Sequence, residues 1–137
     1  MIYPANFEQK IGFDRVREQV AALCSMGVAR ESVLGAKFST SREEIERRQE
    51  LADEMRQLLM IEPATPRDEY PDMEGVLSKL GVEGAFLTVE EVVILRRALT
   101  AVGNMVGFVL SRKEAQYPRL HNLSALHRTG LQLRLRL

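Results

Sequence analysis

The stretch FSTSREEIERRQELADEMRQLLM, residues 38–60, predicts one long amphipathic helix. Ser41 is a suitable N-cap, and Glu44 three residues later can complete a capping box by accepting a hydrogen bond from the Ser41 amide. An apolar stripe follows at helical spacing, made by Ile45, Leu51, Ala52, Met55, Leu58 and Leu59. Such a helix is a rod of roughly 30 Å. Because one face of the rod is apolar, other parts of a protein must cover it.

A second long helix is predicted from a second capping box. Thr88 and Glu91 have the spacing of the box, and the apolar pattern continues to about Leu110. The predicted buried side consists of Val92, Leu95, Leu99, Val102, Val106 and Val109. Gly103 and Gly107 lie inside this helix, where each costs about 1 kcal/mol relative to alanine. Two glycines four residues apart favour the close approach of another helix over contact with a ligand.

Shorter elements complete an all-α prediction. Helices are expected at about 14–24 with Asp14 as N-cap, at 28–34 with Gly35 after the last turn, after Asp72, and weakly at 120–126. Residues 62–72 hold three prolines and predict an exposed connector. The expected fold is a bundle of two long amphipathic helices with several short helices and this Pro-rich connector.

Three regions are expected along the chain. Residues 1–13 predict an extended lead-in, and residues 14–126 predict the helical core. Residues 127–137 form a tail of uncertain status, in which apolar and polar residues alternate as they do in a strand. Without a second strand to pair with, this tail is expected to be frayed or artificial.

The composition fits one globular domain without a marked preference for nucleic acid. The 137 residues include 19 lysines plus arginines and 19 aspartates plus glutamates. A freestanding nucleic-acid binder usually has a basic excess, because neutralisation of phosphates drives its affinity. The balance weakens a DNA-binding interpretation without excluding it, since charge can still be segregated in space.

The compartment predicted from the sequence is the cytoplasm. The single cysteine excludes an intrachain disulfide and fits a reducing compartment. The first residues have neither the basic nor the apolar region of a signal peptide. The most apolar segment, 89–110, is interrupted by charges that argue against a membrane span: Glu90, Glu91, Arg96 and Arg97.

Signals for an enzyme are poor, so no catalytic, cofactor-binding or metal-binding residue is predicted. The chain has no P-loop, zinc-protease, Cys-x-x-Cys or nucleophile-elbow motif. Residues 81–84 predict a turn that ends a helix rather than a phosphate-binding loop. His121 and His127 are predicted to be surface histidines rather than metal ligands. Cys24 lies on an apolar face and predicts a buried thiol. The glutamates of the first long helix alternate with arginines, which favours a solvated face over a carboxylate site.

Two arginine pairs are the weak exception. Arg47 with Arg48, and Arg96 with Arg97, each lie near the start of a long helix. Guanidinium groups in that arrangement are suited to phosphate or to an acidic partner surface. A solvated helix face is the favoured alternative.

The order of features from residue 2 to about 126 resembles the MutS mismatch-repair ATPases, and most closely their second, Smr-domain-bearing subfamily (MutS type II). The matching segments are Phe13-Asp14-Arg15-Val16-Arg17-Glu18, Leu23-Cys24-Ser25, Ala29-Arg30-Glu31, Phe38-Ser39-Thr40, Glu43-Glu44-Ile45-Glu46-Arg47-Arg48 and Leu80-Gly81-Val82-Glu83-Gly84-Ala85-Phe86-Leu87, followed by Glu90, Glu91, Leu95 and Arg96. The turn at Met26-Gly27-Val28 departs from the family, which tends toward a proline-led turn. The tail after Leu126 matches nothing in it.

The resemblance implies an N-terminal part of the core and lever region and no more. In such proteins this region couples an ATPase head to a coiled-coil clamp that closes on DNA, and both lie outside this chain. The implied role is therefore a noncatalytic scaffold that needs no cofactor itself, while the full-length parent would use ATP and Mg²⁺. The implied partners are the parent's remaining domains, DNA through its clamp, and a second subunit of a full-length homodimer, with no membrane.

Two other interpretations remain open from the residues themselves. One is a freestanding helical module that docks a partner protein through an exposed helix face. The other, less favoured, is a DNA-binding module.

Overall fold

The computed structural model describes the backbone of residues 5–134 and the side chains of residues 5–127. Within this range the chain is all-α, as predicted, and contains no strand. The helices are α1 Phe7–Lys10, α2 Phe13–Ala22, α3 Gly27–Leu34, α4 Arg42–Ile61, α5 Glu74–Leu80, α6 Val89–Leu110 and α7 Pro118–Arg134.

The helices belong to two units, each assembled from two separate stretches of chain. Unit 1 comprises Met1–Lys37 with Tyr70–Ala98, and unit 2 comprises Phe38–Glu69 with Leu99–Leu137. Helix α6 contributes residues to both units. The predicted boundaries of a functional domain at residues 14 and 126 stay a prediction.

Helix α4 begins and ends close to where its sequence predicts, but its capping box is only half formed. The Ser41 hydroxyl accepts a hydrogen bond from the Glu44 amide at 3.4 Å, which confirms the N-cap. The Glu44 carboxylate does not return to the Ser41 amide. It accepts instead from the Ser39 hydroxyl at 2.9 Å and from the Arg48 guanidinium, while the Ser41 amide donates to Ser39. A charged donor on the next turn offers the carboxylate a stronger hydrogen bond than the backbone amide does.

Helix α6 begins with the complete capping box that its sequence predicts. The Thr88 amide donates to Glu91 Oε2 at 2.8 Å, and the Glu91 amide donates to Thr88 Oγ1 at 3.2 Å. The helix then continues through 22 residues to Leu110. Local signals alone therefore fix where this helix starts.

We expect Thr88→Ala to destabilise the folded chain by about 1 kcal/mol, since the amide of Glu91 loses its acceptor at the helix start. Thermal unfolding followed by circular dichroism measures this loss. The matched control is Thr40→Ala, an exposed threonine that precedes the N-cap of α4. Equal melting temperatures for the two variants would show that water replaces the Thr88 hydroxyl without loss.

The core of unit 2 lies among α4, the second half of α6, and α7. Its buried residues are Leu58, Val109, Tyr117 and Leu120, and the partly buried residues packed against them are Leu51, Met55, Met105 and Phe108. The predicted stripe of α4 is therefore confirmed at three of its six positions. The other three, Ile45, Ala52 and Leu59, are exposed.

Helix α7 is much longer than the weak helix predicted at 120–126. It begins at Pro118 and ends at Arg134, so residues 129–134 are helical where a frayed tail was expected, while residues 135–137 lie outside the described range. Proline at the first helical position is favourable because it has no amide to leave unsatisfied. Once a first turn exists, leucine, glutamine and arginine extend a helix readily, which overrides their alternating pattern.

The start of unit 1 differs from the predicted extended lead-in. Helix α1 occupies Phe7–Lys10, and Gly12 follows with a left-handed φ of 72°. Gly12 also takes the N-cap position of α2, so the prediction of Asp14 as N-cap is wrong. A glycine adopts this conformation without steric cost, and it turns the chain directly from α1 into α2.

Asp72 organises two short helices of unit 1 at once. It was predicted to cap α5, but Met73 takes the N-cap position and Asp72 lies one residue earlier, from where its Oδ1 accepts from the Glu74 amide at 3.2 Å. The same oxygen accepts from the Gly27 amide at 3.4 Å, at the first residue of α3. One carboxylate therefore satisfies amides at both helix starts, a favourable position for negative charge.

The apolar face of α6 is less covered than its sequence predicts. Of the expected buried positions, Val109 is buried and Val92 is exposed, while the small residues Ala98 and Ala101 are buried instead. Apart from the adjacent residues and the backbone of α6 itself, no described atom lies within 4 Å of the place that a Cβ would take at Gly103 or Gly107. The predicted close approach of another helix at these glycines is therefore wrong among the described residues.

By length and composition alone, α6 would suffice to cross a membrane, and among the described residues it is the one such helix. A core helix of a soluble protein meets the same criterion. Arg96 and Arg97 lie near its midpoint. Insertion of an arginine at the centre of a membrane-spanning helix costs about 2.5–3.5 kcal/mol.

Candidate functional site

The first candidate is the charged face at the start of α4. Arg42 pairs with Glu46 at 2.7 Å, and Arg48 pairs with Glu44, both at i, i+4 spacing on exposed side chains. Arg47 is also exposed. Pairs of this kind contribute only a few tenths of a kcal/mol and suit a solvated surface. The contacts are those expected of a solvated face rather than of a carboxylate pair aimed at a substrate.

Glu44 is the carboxyl group of this face whose environment is distinctive. The hydrogen bond from the Ser39 hydroxyl, followed by the positive charge of Arg48, lowers the pKa of Glu44 from its usual value of 4.5. The carboxylate therefore stays ionised to lower pH than an isolated glutamate would. Its role is to join the segment before α4 to the second turn of the helix.

The lowered pKa of Glu44 predicts how acid affects this helix start. A carboxyl group whose pKa is lower in the folded state stabilises that state above pH 4.5, and the contribution is lost as pH falls through the folded pKa. We expect Ser39→Ala to raise the pKa of Glu44 toward 4.5, which a carbon-detected NMR titration of the side chain measures. An unchanged titration midpoint would show that the serine hydroxyl does not hold the carboxylate.

The two predicted arginine pairs belong to different units of the chain. Arg47 and Arg48 belong to unit 2, whereas Arg96 and Arg97 belong to unit 1. Arg48 is engaged by Glu44, and Arg96 and Arg97 are exposed but have interactions within the chain. Phosphate or partner contacts at these four residues stay a prediction.

The second candidate is the junction of α4 and α7 in unit 2. Glu54 of α4 accepts hydrogen bonds from two amides of the first turn of α7, from Arg119 at 3.0 Å and from Leu120 at 2.8 Å. The Arg119 guanidinium returns to α4 and donates to Glu50 at 2.5 Å. Two adjacent turns of α4 therefore hold the start of α7 by three hydrogen bonds.

The hydrogen bonds at this junction satisfy the whole first turn of α7. Pro118 has no amide, Glu54 accepts from the next two, and the His121 amide donates to the Tyr117 carbonyl at 2.9 Å. The amide of Tyr117 itself donates to Glu114. Free amides at a helix start are costly when they are buried. Glu54, from a distant part of the sequence, therefore accepts the hydrogen bonds that an N-cap side chain accepts in other helices.

A groove of about 590 Å³ opens beside this junction. Polar side chains dominate its lining, which consists of Glu50, Asp53, Glu54, Gln57, Gln116, Pro118, Arg119 and Asn122. Its three carboxylates are already engaged, since Asp53 accepts from Arg56 and Gln57 on its own helix. Among the described residues no group of His, Cys, Asp and Glu is arranged to hold a metal ion. The groove is best explained as the solvated edge of the α4–α7 contact.

The other residues singled out from the sequence have structural environments. His121 is half-buried rather than a surface residue, and its Nε2 donates to the Arg112 carbonyl at 2.8 Å. His127 is exposed. Cys24 is half-buried rather than fully buried, and its thiol donates to the Val20 carbonyl at 3.5 Å. Residues 81–84 form an exposed turn, in which Gly84 has a left-handed φ of 79°.

The chain is similar to one curated protein, Endonuclease MutS2 from Pelotomaculum thermopropionicum. The two sequences are 32% identical over 117 residues, which are 85% of this chain and 15% of that protein. The chain therefore spans about 15% of the length of the relative that it matches. No family model matches the chain, and no solved structure matches it.

Proposed function

We propose that this chain is a noncatalytic, helical core segment of a MutS2-like protein, in which it couples an ATPase head to a clamp that engages DNA. The observation that carries the proposal is the 32% identity to Endonuclease MutS2 over 85% of the chain. It agrees with the resemblance to MutS type II proteins in residues 2–126. The absence of enzyme motifs from the sequence agrees with a scaffold rather than a catalytic part.

The proposed role needs rigid elements, because a lever transmits movement only if it does not bend. Two features support α4 in that role. Its 20 residues are uninterrupted, and its end is held by Thr65, a buried residue whose hydroxyl donates to the Glu62 carbonyl at 2.7 Å. A helix fixed at both ends moves as a rigid body between two states of a larger protein.

The remaining features of the function are proposals about the parent protein. ATP and Mg²⁺ would bind in its head, DNA would bind in its clamp, and the full-length protein would act as a homodimer. We place the parent in the cytoplasm without a membrane partner. In that setting the last turns of α6 pack against protein, as the contribution of Val109, Met105 and Phe108 to the core of unit 2 supports.

The gene itself gives the first test. We expect the coding sequence downstream of the codon for Leu137 to include a Gly-Lys-Ser/Thr phosphate-binding loop. Its absence would contradict the proposal. A ligand that binds the folded state raises the melting temperature. We expect the chain alone not to bind ATP, so addition of ATP should leave its melting temperature unchanged. A clear rise would reveal a nucleotide site within the chain.

A freestanding protein-interaction module is the second candidate function. It is favoured by the many large apolar side chains that unit 1 exposes, among them Phe13, Val20 and Phe86. Large apolar side chains left exposed in such number are candidates for an interface. This candidate predicts that the gene encodes no ATPase head.

We expect the chain alone to bind neither duplex nor branched DNA tightly. Its lysines plus arginines equal its aspartates plus glutamates, so little net phosphate neutralisation is available. Fluorescence anisotropy at low and moderate salt measures the binding. A tight complex whose affinity falls steeply with salt would contradict the scaffold role. The matched variants Arg47→Gln/Arg48→Gln and Arg96→Gln/Arg97→Gln would then identify which pair contacts phosphate.

A further inference from the structure

Helix α2 carries a line of exposed apolar side chains along one side. We define this α2 seam by Phe13, Val16, Val20 and Leu23, which are 41%, 48%, 44% and 86% exposed. Leu23 is the C-cap residue and keeps helical φ and ψ of −83° and −11°. Residues three and four apart on a helix are neighbours, with Cβ atoms about 5–6 Å apart. The spacing of three, four and three residues therefore makes the seam one continuous surface.

The seam is separate from the side by which α2 packs inside unit 1. Ala21, which is buried, lies about 120° around the helix from the middle of the seam. At the start of the seam, the guanidinium of Arg17 lies 4.8 Å from the centre of the Phe13 ring and donates to Glu8 at 2.7 Å. A surface that is ordered before binding loses little conformational entropy when a partner docks.

The spacing of the seam favours a helix as its occupant. Apolar residues that alternate three and four apart form the a and d positions of a coiled coil, where each side chain fits between residues of the facing helix. Among the side chains that the structure describes, no helix other than α2 fills this spacing wholly with exposed apolar residues. The complementary surface that the chain itself offers is therefore the α2 seam of a second copy.

The borders of the seam are also compatible with a second copy. Gln19 lies at one border and is uncharged, while Arg17 lies at the other and is paired with Glu8 of its own copy. Arg15 and Glu18 lie on other faces of the helix. Two seams can therefore meet without unpaired like charges between them, and such charges would oppose association. A strongly acidic or basic partner would find no matching charge at this surface.

We propose that the α2 seam pairs with the α2 seam of a second copy of this chain, antiparallel about a twofold axis. In that register Phe13 contacts Leu23 of the second copy and Val16 contacts its Val20, so every apolar residue meets another. Antiparallel pairing also places the positive end of each helix dipole beside the negative end of the other. This inference does not rest on the proposed function, since a homodimer of the parent could form through its other domains whether or not this seam pairs.

Sedimentation equilibrium at a series of concentrations measures the pairing. Four side chains per copy bury much less than the roughly 800 Å² per partner of a standard interface. We therefore expect dimers to form only in the high micromolar to millimolar range, where the average mass should rise toward twice that of one chain. An average mass that stays that of one chain throughout this range would overturn the inference.

Two substitutions at similarly exposed positions show whether the pairing uses the seam. Leu23→Lys places a charge against Phe13 of the second copy without an ion-pair partner, so it should weaken the association by at least about tenfold. Because Leu23 is 86% exposed, this variant should melt at the temperature of the unaltered chain. Phe86→Lys, at a residue of unit 1 that is 82% exposed and lies outside the seam, should leave the association unchanged. Equal weakening by both substitutions, or by neither, would contradict the proposal.

The single cysteine tests the direction of the pairing. A nitroxide attached to Cys24, at the end of the seam, broadens the NMR signals of nearby amides in a second, isotope-labelled copy. We expect broadening at Gly12 and Phe13 of the labelled copy, because antiparallel helices bring the end of one beside the start of the other. Broadening at Leu23 and Cys24 instead would show parallel helices, and broadening only outside α2 would place the contact on another surface. Either result would refute the pairing as proposed.

Discussion

Replacement of Leu58 by alanine should lower the free energy of unfolding of unit 2 by about 2–5 kcal/mol. Leu58 is 0% exposed and packs in the cluster with Val109, Tyr117 and Leu120. The substitution removes apolar surface from this cluster and leaves a cavity among residues of three helices, which relax only in part. Urea denaturation followed by circular dichroism measures the loss.

The neighbouring leucine provides a matched control. Leu59 has the same side chain in the same helix, but it is 44% exposed and lies outside the cluster. Leu59→Ala should lower the free energy of unfolding by about 1 kcal/mol or less, since the Leu59 side chain buries little apolar area when the chain folds. Similar losses for the two variants would contradict the described packing of α4. They would indicate that both leucines contribute by helix propensity rather than by burial.

The elements best predicted from the sequence are those whose start is encoded locally. The pairs Ser41 with Glu44 and Thr88 with Glu91 are each three residues apart, so α4 and α6 could be located from neighbouring residues alone. The starts match the structure for both helices. A helix that carries its own cap needs no knowledge of the rest of the fold.

Burial was less predictable, because a periodic pattern marks a face but not what covers it. Leu58 and Leu59 both fit the predicted stripe of α4, yet only Leu58 enters the core. The partners of Leu58 are Val109, Tyr117 and Leu120, which are distant in sequence and cannot be found from the pattern of α4 alone. The length of α7 was not predicted, since residues 129–134 alternate like a strand. Asp14 likewise had the residue type of an N-cap, but the left-handed turn at Gly12 determines where α2 starts.

The candidate site was the least predictable part of the molecule. The arginine pairs could be found as patterns, but patterns do not reveal that Arg48 is engaged by Glu44 or that the two pairs belong to different units. The α4–α7 junction was missed because Glu54 lies 65 residues before Arg119 in the chain. The single local sign was Pro118, a residue that favours the first position of a helix.

Replacement of Glu54 by alanine is the second substitution from which we expect a large effect, about 1–2 kcal/mol, as for the loss of a helix N-cap. Its carboxylate accepts hydrogen bonds from the amides of Arg119 and Leu120, which have no acceptor within α7 itself because they lie in its first turn. Alanine leaves both without a protein acceptor at a helix start that favours negative charge. Glu54→Gln keeps one oxygen as an acceptor without the charge, so its loss should be intermediate. Urea denaturation gives the three values.

The adjacent carboxylate distinguishes this cap from the general charge of α4. Asp53 accepts hydrogen bonds from Arg56 and Gln57 on its own exposed helix face, so Asp53→Ala should leave the free energy of unfolding nearly unchanged. Hydrogen exchange adds a local measurement. In Glu54→Ala the amides of Arg119 and Leu120 should exchange faster, whereas in Asp53→Ala they should not change. If Glu54→Ala unfolds like Asp53→Ala and leaves those amides protected, the start of α7 is held by the apolar contacts of Tyr117 and Leu120 rather than by the carboxylate of Glu54.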